Sequence, residues 1–351
     1  MKRSTSKKKT LSALPGQMKK KKKEKKAKKE YDGNDEVMVS TGSTLLDLAI
    51  SGGRKRGGGI PGGIFVEIFG PSASGKTVLL CEIAGSVQRQ GGQVMFKDPE
   101  ARLNRQFAQI FDLEVDEIDY ATPNTVPEVF EPVRKWQPEN TDVINGVFAD
   151  SLAALSTDME MDDKDKYGMR RAKEFSEELR KTCRVLTERN MLLVGSNQIR
   201  TNVDAMAFGK KTSAPGGKAL EFYASLRLEL LWSKKLKKKK KIRGREVEKV
   251  VGIETEIFVE KSSVWAPHNK APLIILFDYG IDDIRANLQF VKDYSKHSVY
   301  TLGGENLDRS MDKAIQMVEE QDAVAQLKEE VIDLWEEIQE KFKVERKPKV
   351  R

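Results

Sequence analysis

The sequence predicts an α/β fold in which helices flank a mostly parallel, twisted sheet and a small helical domain follows. Short apolar strand candidates alternate with helical stretches, a pattern typical of parallel sheets with helices on both faces. A glycine-rich loop joins an early strand to a helix, and the acidic final part of the chain has the apolar spacing of two amphipathic helices. The later strand candidates are 94–96, 143–149, 191–195, 226–231, 255–259 and 273–277.

The composition limits the classes of protein that are compatible with this chain. Its 351 residues are enough for one substantial core and an additional small domain. No apolar run reaches the roughly 18 residues of a membrane span, and no signal peptide pattern is present, so we expect a soluble, cytoplasmic protein. Two cysteines and two histidines are too few for a disulfide framework or an ordinary zinc site. Any catalysis should therefore depend on carboxylates, lysine and magnesium rather than zinc.

The positive charge is concentrated at the amino end of the chain. Residues 1–30 hold 14 Lys and Arg against 2 Asp and Glu, a net charge of +12, and the other 321 residues carry a net charge of −4. We expect residues 1–36 to form a disordered tail, which is either solvated or an arm that attracts a polyanion. The rest divides into a predicted core at 37–283, a small C-terminal domain at 284–342 and a basic end at 343–351.

Residues 70–77 fit the phosphate-loop pattern, in which two glycines, a lysine and a hydroxyl residue stand at fixed offsets. In such a loop the backbone N–H groups surround the phosphates, and the helix that follows directs its positive end at the same anion. Lys76 would reach the β- and γ-phosphates of ATP, and Thr77 would hold Mg²⁺. An accidental glycine-rich turn is the alternative, but the strand before the loop and the helix from 77 to about 88 favour the motif. The loop residues are Gly70, Pro71, Ser72, Ala73, Ser74, Gly75, Lys76 and Thr77.

Polar residues follow three other strand candidates, at the sheet edge where a ligand is expected. Glu100 follows the strand 94–96, which we expect one strand away from the phosphates, and it is a candidate base that orients water for attack on the γ-phosphate. Asp150 closes another apolar strand and suits the magnesium shell. Gln198 ends a third strand, where an amide could sense the γ-phosphate. For each residue taken alone, a polar group that caps a strand or begins a helix is the alternative.

Two further segments could contact nucleic acid. The loop 201–217 holds apolar wedges, cations and glycines without enough bulk to pack on itself, which suits a loop that orders on binding nucleic acid; a plain surface loop is the alternative. The lysine-rich stretch 232–245 lies between two strand candidates and predicts a basic hairpin tip, either solvated or phosphate-binding. The candidate contacts of the loop are Met206, Phe208, Lys210, Lys211, Gly216 and Gly217.

Together these residues resemble the RecA family of recombinases from about residue 37 to residue 282. The segment 216–225, a glycine pair followed by an aromatic pair, is the most specific part of the resemblance, because phosphate loops are common. The C-terminal helices are similar to the end of some bacterial and phage members. The segments in the family's order and spacing are Ser40-Thr41-Gly42-Ser43, 70–77, Asp98-Pro99-Glu100, 150–155, Asn197-Gln198-Ile199-Arg200 and 216–225.

The resemblance implies a RecA-like core that binds ATP and Mg²⁺ between subunits. It further implies a helical filament on single-stranded DNA that exchanges strands with a homologous duplex in recombination and DNA repair. Glu100 would then activate water, and Asp150 would be the acidic partner of the metal. Gln198 would link the γ-phosphate to a DNA-binding loop that begins at Arg200.

The resemblance also assigns residues around the nucleotide and between subunits. Asn104 and Phe107 fall where the family contacts adenine, and Phe222 falls where the family joins neighbouring subunits. Lys261 matches the first of two lysines that reach the neighbour's ATP in bacterial members. Ser263 stands in place of the second, a departure that bears on activation across the interface and that a divergent phage-encoded member would explain.

Two other functions are compatible with these residues. One is a RecA-fold accessory or regulatory protein that binds ATP and DNA without strand exchange; the retained Lys76, Glu100 and Gln198 argue against loss of hydrolysis. The other is a RecA-like hexameric helicase, which the segment 216–225 argues against. Electron microscopy with ATP and single strands would distinguish filaments from rings.

Overall fold

The computed structural model describes residues 37–157, 169–198, 200–201, 212–213, 218–295 and 297–346. The lysine-rich tail and the last five residues lie outside these ranges. So do the six candidate DNA contacts of the loop 201–217.

The elements of the described chain are numbered here in chain order. The strands are β1 Met38–Val39, β2 Ile60–Pro61, β3 Phe65–Gly70, β4 Val94–Lys97, β5 Asp119–Ala121, β6 Asn145–Ala149, β7 Met191–Gln198, β8 Arg200–Thr201, β9 Thr212–Ser213, β10 Leu226–Ile242, β11 Arg245–Ser262, β12 Lys270–Leu276, β13 Gly280–Ile281, β14 Thr301–Leu302 and β15 Glu305–Asn306. The helices are α1 Thr44–Ser51, α2 Lys76–Arg89, α3 Arg105–Gln109, α4 Val126–Lys135, α5 Met169–Glu188, α6 Lys218–Tyr223, α7 Asp283–Tyr294, α8 Met311–Glu320 and α9 Val324–Lys341, with short 3₁₀ turns at Val115–Glu117 and Leu152–Ala154.

Within the described ranges, nine strands form one sheet in the order β13-β12-β11-β10-β3-β7-β6-β4-β5. The strands from β10 to β5 run parallel, and β11, β12 and β13 extend the sheet with antiparallel pairing. Parallel neighbours need crossover connections, which helices supply here. The predicted α/β fold with a mostly parallel sheet is confirmed.

The two faces of this sheet bury separate apolar clusters, because successive strand residues point to opposite faces. Val66 and Ile68 of β3 belong to the larger cluster with α1 and α2, whereas Phe65 belongs to the smaller cluster with α4 and α5. In the smaller cluster the rings of Phe130 and Phe175 meet edge to face at 6.2 Å and join α4 to α5. The sheet is therefore covered on both sides, as the alternating pattern predicts.

The two predicted C-terminal helices are α8 and α9, and α9 packs against the core. Leu327, Val331 and Trp335 of α9 lie in the larger apolar cluster with residues of α1. Arg56, in the glycine-rich loop after α1, adds three ion pairs of 2.7 Å each, to Glu329, Asp333 and Glu336. A separate C-terminal domain beginning at 284 stays a prediction.

Strands β10 and β11 form a hairpin much longer than the sequence pattern indicates, 17 and 18 residues. Its turn is only Arg243-Gly244, with positive φ angles of 49° and 83°, a geometry whose twist matches that of the flanking strands. The lysine run predicted as a hairpin tip therefore lies mostly inside the strands. Lysine has weak strand propensity and the run lacks alternation, so the pairing of the two strands decides its conformation.

None of the described helices is long and apolar enough to span a membrane.

Candidate functional site

The loop between β3 and α2 has the backbone that the phosphate-loop motif requires. Ala73 and Gly75 have positive φ angles of 59° and 99°. A Cβ atom at Gly75 would lie 2.4 Å from Cδ1 of Ile275, and one at Gly70 would lie 2.6 Å from the carbonyl oxygen of Leu230. Both glycines are therefore required by close contacts with neighbouring strands as well as by the turn itself.

Lys76, the first residue of α2, holds its ammonium group inside this loop. Its Nζ donates hydrogen bonds to the carbonyl oxygens of Pro71 at 2.6 Å and Gly70 at 3.1 Å. Burial lowers the pKa of Lys76, while the carboxylates of Asp150 and Glu100 oppose that shift. The ammonium group thus binds two neutral carbonyl oxygens, and the anionic oxygens of a phosphate would bind it more strongly.

Asp150 connects three elements at the carboxyl edge of the sheet. The Thr77 hydroxyl donates to Oδ2 of Asp150 at 2.7 Å, and the Ser196 hydroxyl of β7 donates to Oδ1. A hydroxyl beside one carboxylate supplies oxygen ligands of the kind that Mg²⁺ uses together with substrate phosphates. The described residues contain no group of three or more His, Cys, Asp and Glu that could hold a metal. The Thr77 hydroxyl and the Asp150 carboxylate fit a magnesium ion that takes its other ligands from a nucleotide phosphate and water.

Glu100 follows β4, but the expectation that β4 lies one strand from the phosphate loop is wrong. Both β7 and β6 lie between β3 and β4. Strand β7 comes much later in the chain, so order along the sequence does not give order in the sheet. Glu100 pairs with Arg102 at 2.8 Å and is mostly buried, and its charge still acts on Lys76.

Asp98 positions the segment that carries Glu100, a role that sequence reasoning missed. Its Oδ2 accepts the backbone N–H groups of Arg102 and Leu103, both at 2.8 Å, and the Tyr120 hydroxyl at 3.0 Å. Burial and the Asp98 carboxylate raise the pKa of Tyr120 to about 12, so this hydroxyl stays a donor. Asp98 belongs to the segment Asp98-Pro99-Glu100, in which the sequence predicts a role only for Glu100.

Gln198 is the last residue of β7 and pairs in register with Gly70 at the end of β3. The preceding residue, Asn197, is buried and donates to Oε1 of Glu67 at 2.9 Å. The other oxygen of Glu67 accepts from Nε of Arg227 at 2.6 Å, and Arg227 also contacts Glu260. This buried network, which the sequence did not reveal, joins the end of β7 to β3, β10 and β11.

The two residues assigned to adenine lie together at the start of α3. Asn104 is the N-cap of that helix, and its side-chain oxygen accepts the backbone N–H of Phe107 at 2.9 Å. The Phe107 ring meets Phe111 edge to face at 5.1 Å and is half-buried against the core. Asn104 therefore has a structural role whether or not it contacts a base.

Lys261 and Phe222 lie together on the surface beside α6. Lys261 Nζ donates to the carbonyl oxygens of Glu221 at 2.8 Å and Phe222 at 2.9 Å, at the carboxyl end of α6. The Phe222 side chain is 74% exposed, and its ring meets the Tyr223 ring edge to face at 5.1 Å. Ser263 donates to the carbonyl of Ser225 at 3.2 Å.

The predicted DNA-binding loop is described only at its two ends. Arg200–Thr201 pairs antiparallel with Thr212–Ser213 as the small ladder of β8 and β9. This ladder begins two residues after Gln198. The loop therefore leaves the sheet at the same edge as the phosphate loop.

Comparison with known proteins identifies the family of this chain. The crystal structure of the RadB recombinase is similar at 19% sequence identity, over 70% of this chain and 98% of the RadB chain, with a TM-score of 0.48. The family model for the RecA N-terminal domain matches residues 12–282. That match spans more than three quarters of the sequence and includes every segment assigned to the site. This protein belongs to the RecA family.

Proposed function

We propose that this protein is an ATP-dependent recombinase that forms helical filaments on single-stranded DNA and pairs that strand with a homologous duplex in recombination and DNA repair. The observation that best supports it is the register of β3 and β7, which joins the phosphate loop at Gly70 to Gln198 and the strands that lead into the DNA-binding loop. Family membership supports the same proposal. The proposal includes a cytoplasmic location, where ATP, Mg²⁺ and DNA occur together.

The ATP-binding residues have separate tasks. Lys76 exchanges its carbonyl partners for the β- and γ-phosphates, and the phosphate loop encloses them with its backbone N–H groups. Thr77 and Asp150 would hold Mg²⁺, which when bound neutralises part of the phosphate charge. Asn104 and Phe107 would contact the adenine. Lys76 and Thr77 begin α2, Asp150 directly follows β6, and Asn104 and Phe107 lie at the start of α3.

Glu100 is the base in the proposed hydrolysis. A water oxygen attacks the γ-phosphorus, the bond from that phosphorus to the β–γ bridging oxygen breaks, and Glu100 accepts a proton from the water. The leaving ADP oxygens take the electron pair of the broken bond. Asp98 fixes the backbone after Glu100 and so limits the positions that its carboxylate can occupy.

The DNA side of the site begins where β7 ends. Arg200, Met206, Phe208, Lys210, Lys211, Gly216 and Gly217 are the proposed DNA contacts. Phe222, whose ring is exposed, would contact a neighbouring subunit, and Lys261 would approach the ATP bound between them. ATP, DNA and a second subunit would thus meet around one loop.

The substitution Glu100→Gln tests this function. We expect the variant to bind ATP and form filaments on single strands, while DNA-stimulated turnover falls roughly 10²-fold or more, because the amide cannot accept the proton. Glu117→Gln, an exposed carboxylate on a 3₁₀ turn, is the matched control and should retain full turnover. Electron microscopy, phosphate release and joint-molecule formation with homologous duplex are the measurements.

Three results would contradict parts of the proposal. Wild-type turnover in Glu100→Gln would remove Glu100 as the base. Rings instead of filaments would indicate a helicase. Filaments with normal turnover but without joint molecules would indicate an accessory protein.

A further inference from the structure

The end of the β10–β11 hairpin that extends beyond the pairing with β12 carries a large positive charge. From residue 237 to residue 249 every side chain of the hairpin is exposed. This segment holds eight Lys and Arg and only two carboxylates, Glu246 and Glu248. Residues that face each other in an antiparallel pair project on the same side, so the register shows how these charges divide between the two faces.

The register places both carboxylates on one face. In the strand register, Lys239 lies opposite Glu248 and Lys241 lies opposite Glu246, and Lys237 lies on the same side. Two ion pairs form across this face, Lys237 with Glu248 at 2.7 Å and Lys239 with Glu246 at 2.9 Å. We call it the paired face. Its three cations are largely offset by its two anions.

The opposite face has no carboxylate, and we call it the cationic face. In the register, Lys238 lies opposite Lys249, Lys240 opposite Val247, and Ile242 opposite Arg245. Lys238 reaches Asp312 of α8 at 2.9 Å. Within the described part of the chain, Lys240, Arg245 and Lys249 form no ion pair shorter than 4.0 Å. Ile242 and Val247, 54% and 45% exposed, lie between these cations.

We propose that the cationic face of this hairpin binds the phosphate backbone of duplex DNA. The two chemical features of the face support that ligand: cations without competing anions, and no aromatic ring on which an unpaired base could stack. A two-stranded ribbon also has the width that the major groove of B-form DNA admits. The contacts would be to phosphates and therefore independent of sequence.

This inference rests on the proposed function only in naming DNA as the polyanion. It assigns the incoming duplex to an element distinct from the loop 201–217. A protein that searches a duplex for homology needs such sequence-blind contacts, because they allow the duplex to be held and released without reading its bases.

Two triple variants with the same change in net charge test the assignment. The first replaces the free cations of the cationic face, Lys240→Gln, Arg245→Gln and Lys249→Gln. The second replaces the three cations of the paired face, Lys237→Gln, Lys239→Gln and Lys241→Gln. Affinity of the full-length protein for a short duplex is measured across a series of salt concentrations, with a slowly hydrolysed ATP analogue present.

We expect the cationic-face variant to reduce the slope of log affinity against log salt by about 0.9 for each phosphate that the substituted side chains no longer neutralise, and the paired-face variant to change it much less. Equal slopes for the two variants would overturn the proposal, because bulk charge would then explain the effect. A cationic-face variant with an unchanged slope but weaker self-association would also overturn it, in favour of a second copy of this chain as the partner. The single change Lys240→Glu should lower duplex affinity in the same direction.

Single-strand-stimulated ATP turnover separates this result from the proposed function. Both triple variants should keep it, because the hairpin segment 237–249 is exposed and lies outside the ATP site. If the unmodified protein showed no such turnover, the proposed function would fail while the comparison of the two faces would still be informative.

Discussion

At the residue scale, Asp47 is a buried carboxyl with an unusual titration. It lies near the amino end of α1 and accepts hydrogen bonds from Ser40 Oγ at 2.6 Å, Thr41 N at 2.8 Å and Thr41 Oγ1 at 2.7 Å. Burial raises the pKa of Asp47 to about 6, and these hydrogen bonds only partly oppose the shift. Folding therefore favours the protonated carboxyl.

The pH dependence of stability follows from that direction. The folded-state pKa of Asp47 lies above the ordinary value of 3.8. The contribution of Asp47 to the free energy of unfolding is therefore fully present below about pH 4 and is lost as pH rises through about 6. Between pH 5 and pH 8 the loss is about 1 kcal/mol. Asp47→Asn should remove this part of the pH dependence of the free energy of unfolding. Urea unfolding of the wild type and the variant at pH 5 and pH 8 would measure the difference. An unfolding difference between the two proteins that is independent of pH would contradict it.

Thr255 is a positioning residue for the phosphate loop. It is buried in β11, where its hydroxyl meets Ser233 Oγ at 3.0 Å and donates to the carbonyl oxygen of Ser74 at 3.1 Å. Thr255→Val keeps the shape but removes the donor, a loss of about 1 kcal/mol, so we expect ATP affinity to fall about fivefold. Thr255→Ser should restore it. Nucleotide titration measures the ATP affinity of each variant. Equal affinity in the Val and Ser variants would show that the hydrogen bond from residue 255 to Ser74 does not shape the phosphate loop.

At the element scale, β7 joins the phosphate-loop edge of the sheet to the β8–β9 ladder. Its last residue, Gln198, is in register with Gly70, and the β8–β9 ladder follows two residues later. A ligand can shift the loop only through different affinities for its states, and the effect must be reciprocal. Gln198→Ala should bind both ligands but lose a mutual enhancement of roughly 1 to 3 kcal/mol.

Paired titrations measure this coupling: DNA affinity with and without a slowly hydrolysed ATP analogue, and analogue affinity with and without DNA. Asn124→Ala, a change in the loop between β5 and α4, is a control that should keep the coupling. Undiminished coupling in Gln198→Ala would remove Gln198 as the link.

Elements with strong apolar periodicity were predictable, and those built by pairing were not. The strand–loop–helix unit of β3 and α2 was evident from local residues alone. The length of β10 and β11 was not, because most of the added positions near the turn are charged and only the partner strand holds them extended. The position of β7 between β3 and β6 was not predictable either, because a crossover can pass over neighbouring strands.

At the scale of the whole molecule, the exposed Phe222 is the proposed contact between subunits. An isolated exposed phenylalanine needs no explanation, but the carbonyl oxygen of this one accepts a hydrogen bond from Lys261, the other residue proposed to act across the subunit interface. Phe222→Ala should weaken self-association and shorten filaments while leaving the fold intact, since the ring is 74% exposed. Phe342→Ala, 80% exposed just after α9, is the matched control. Sedimentation and electron microscopy would show equal assembly of both variants if Phe222 is not at the interface.

The sequence by itself determined the fold class, the phosphate loop and the family resemblance, because these depend on local spacing and on residue types at fixed offsets. Only the tertiary structure brought Ser196 to Asp150, Thr255 to Ser74 and Asn197 to Glu67. It also separated the charges of the hairpin into two unlike faces. These contacts join residues distant in the chain, and which of them meet depends on the order and register of the strands, which no local pattern encodes.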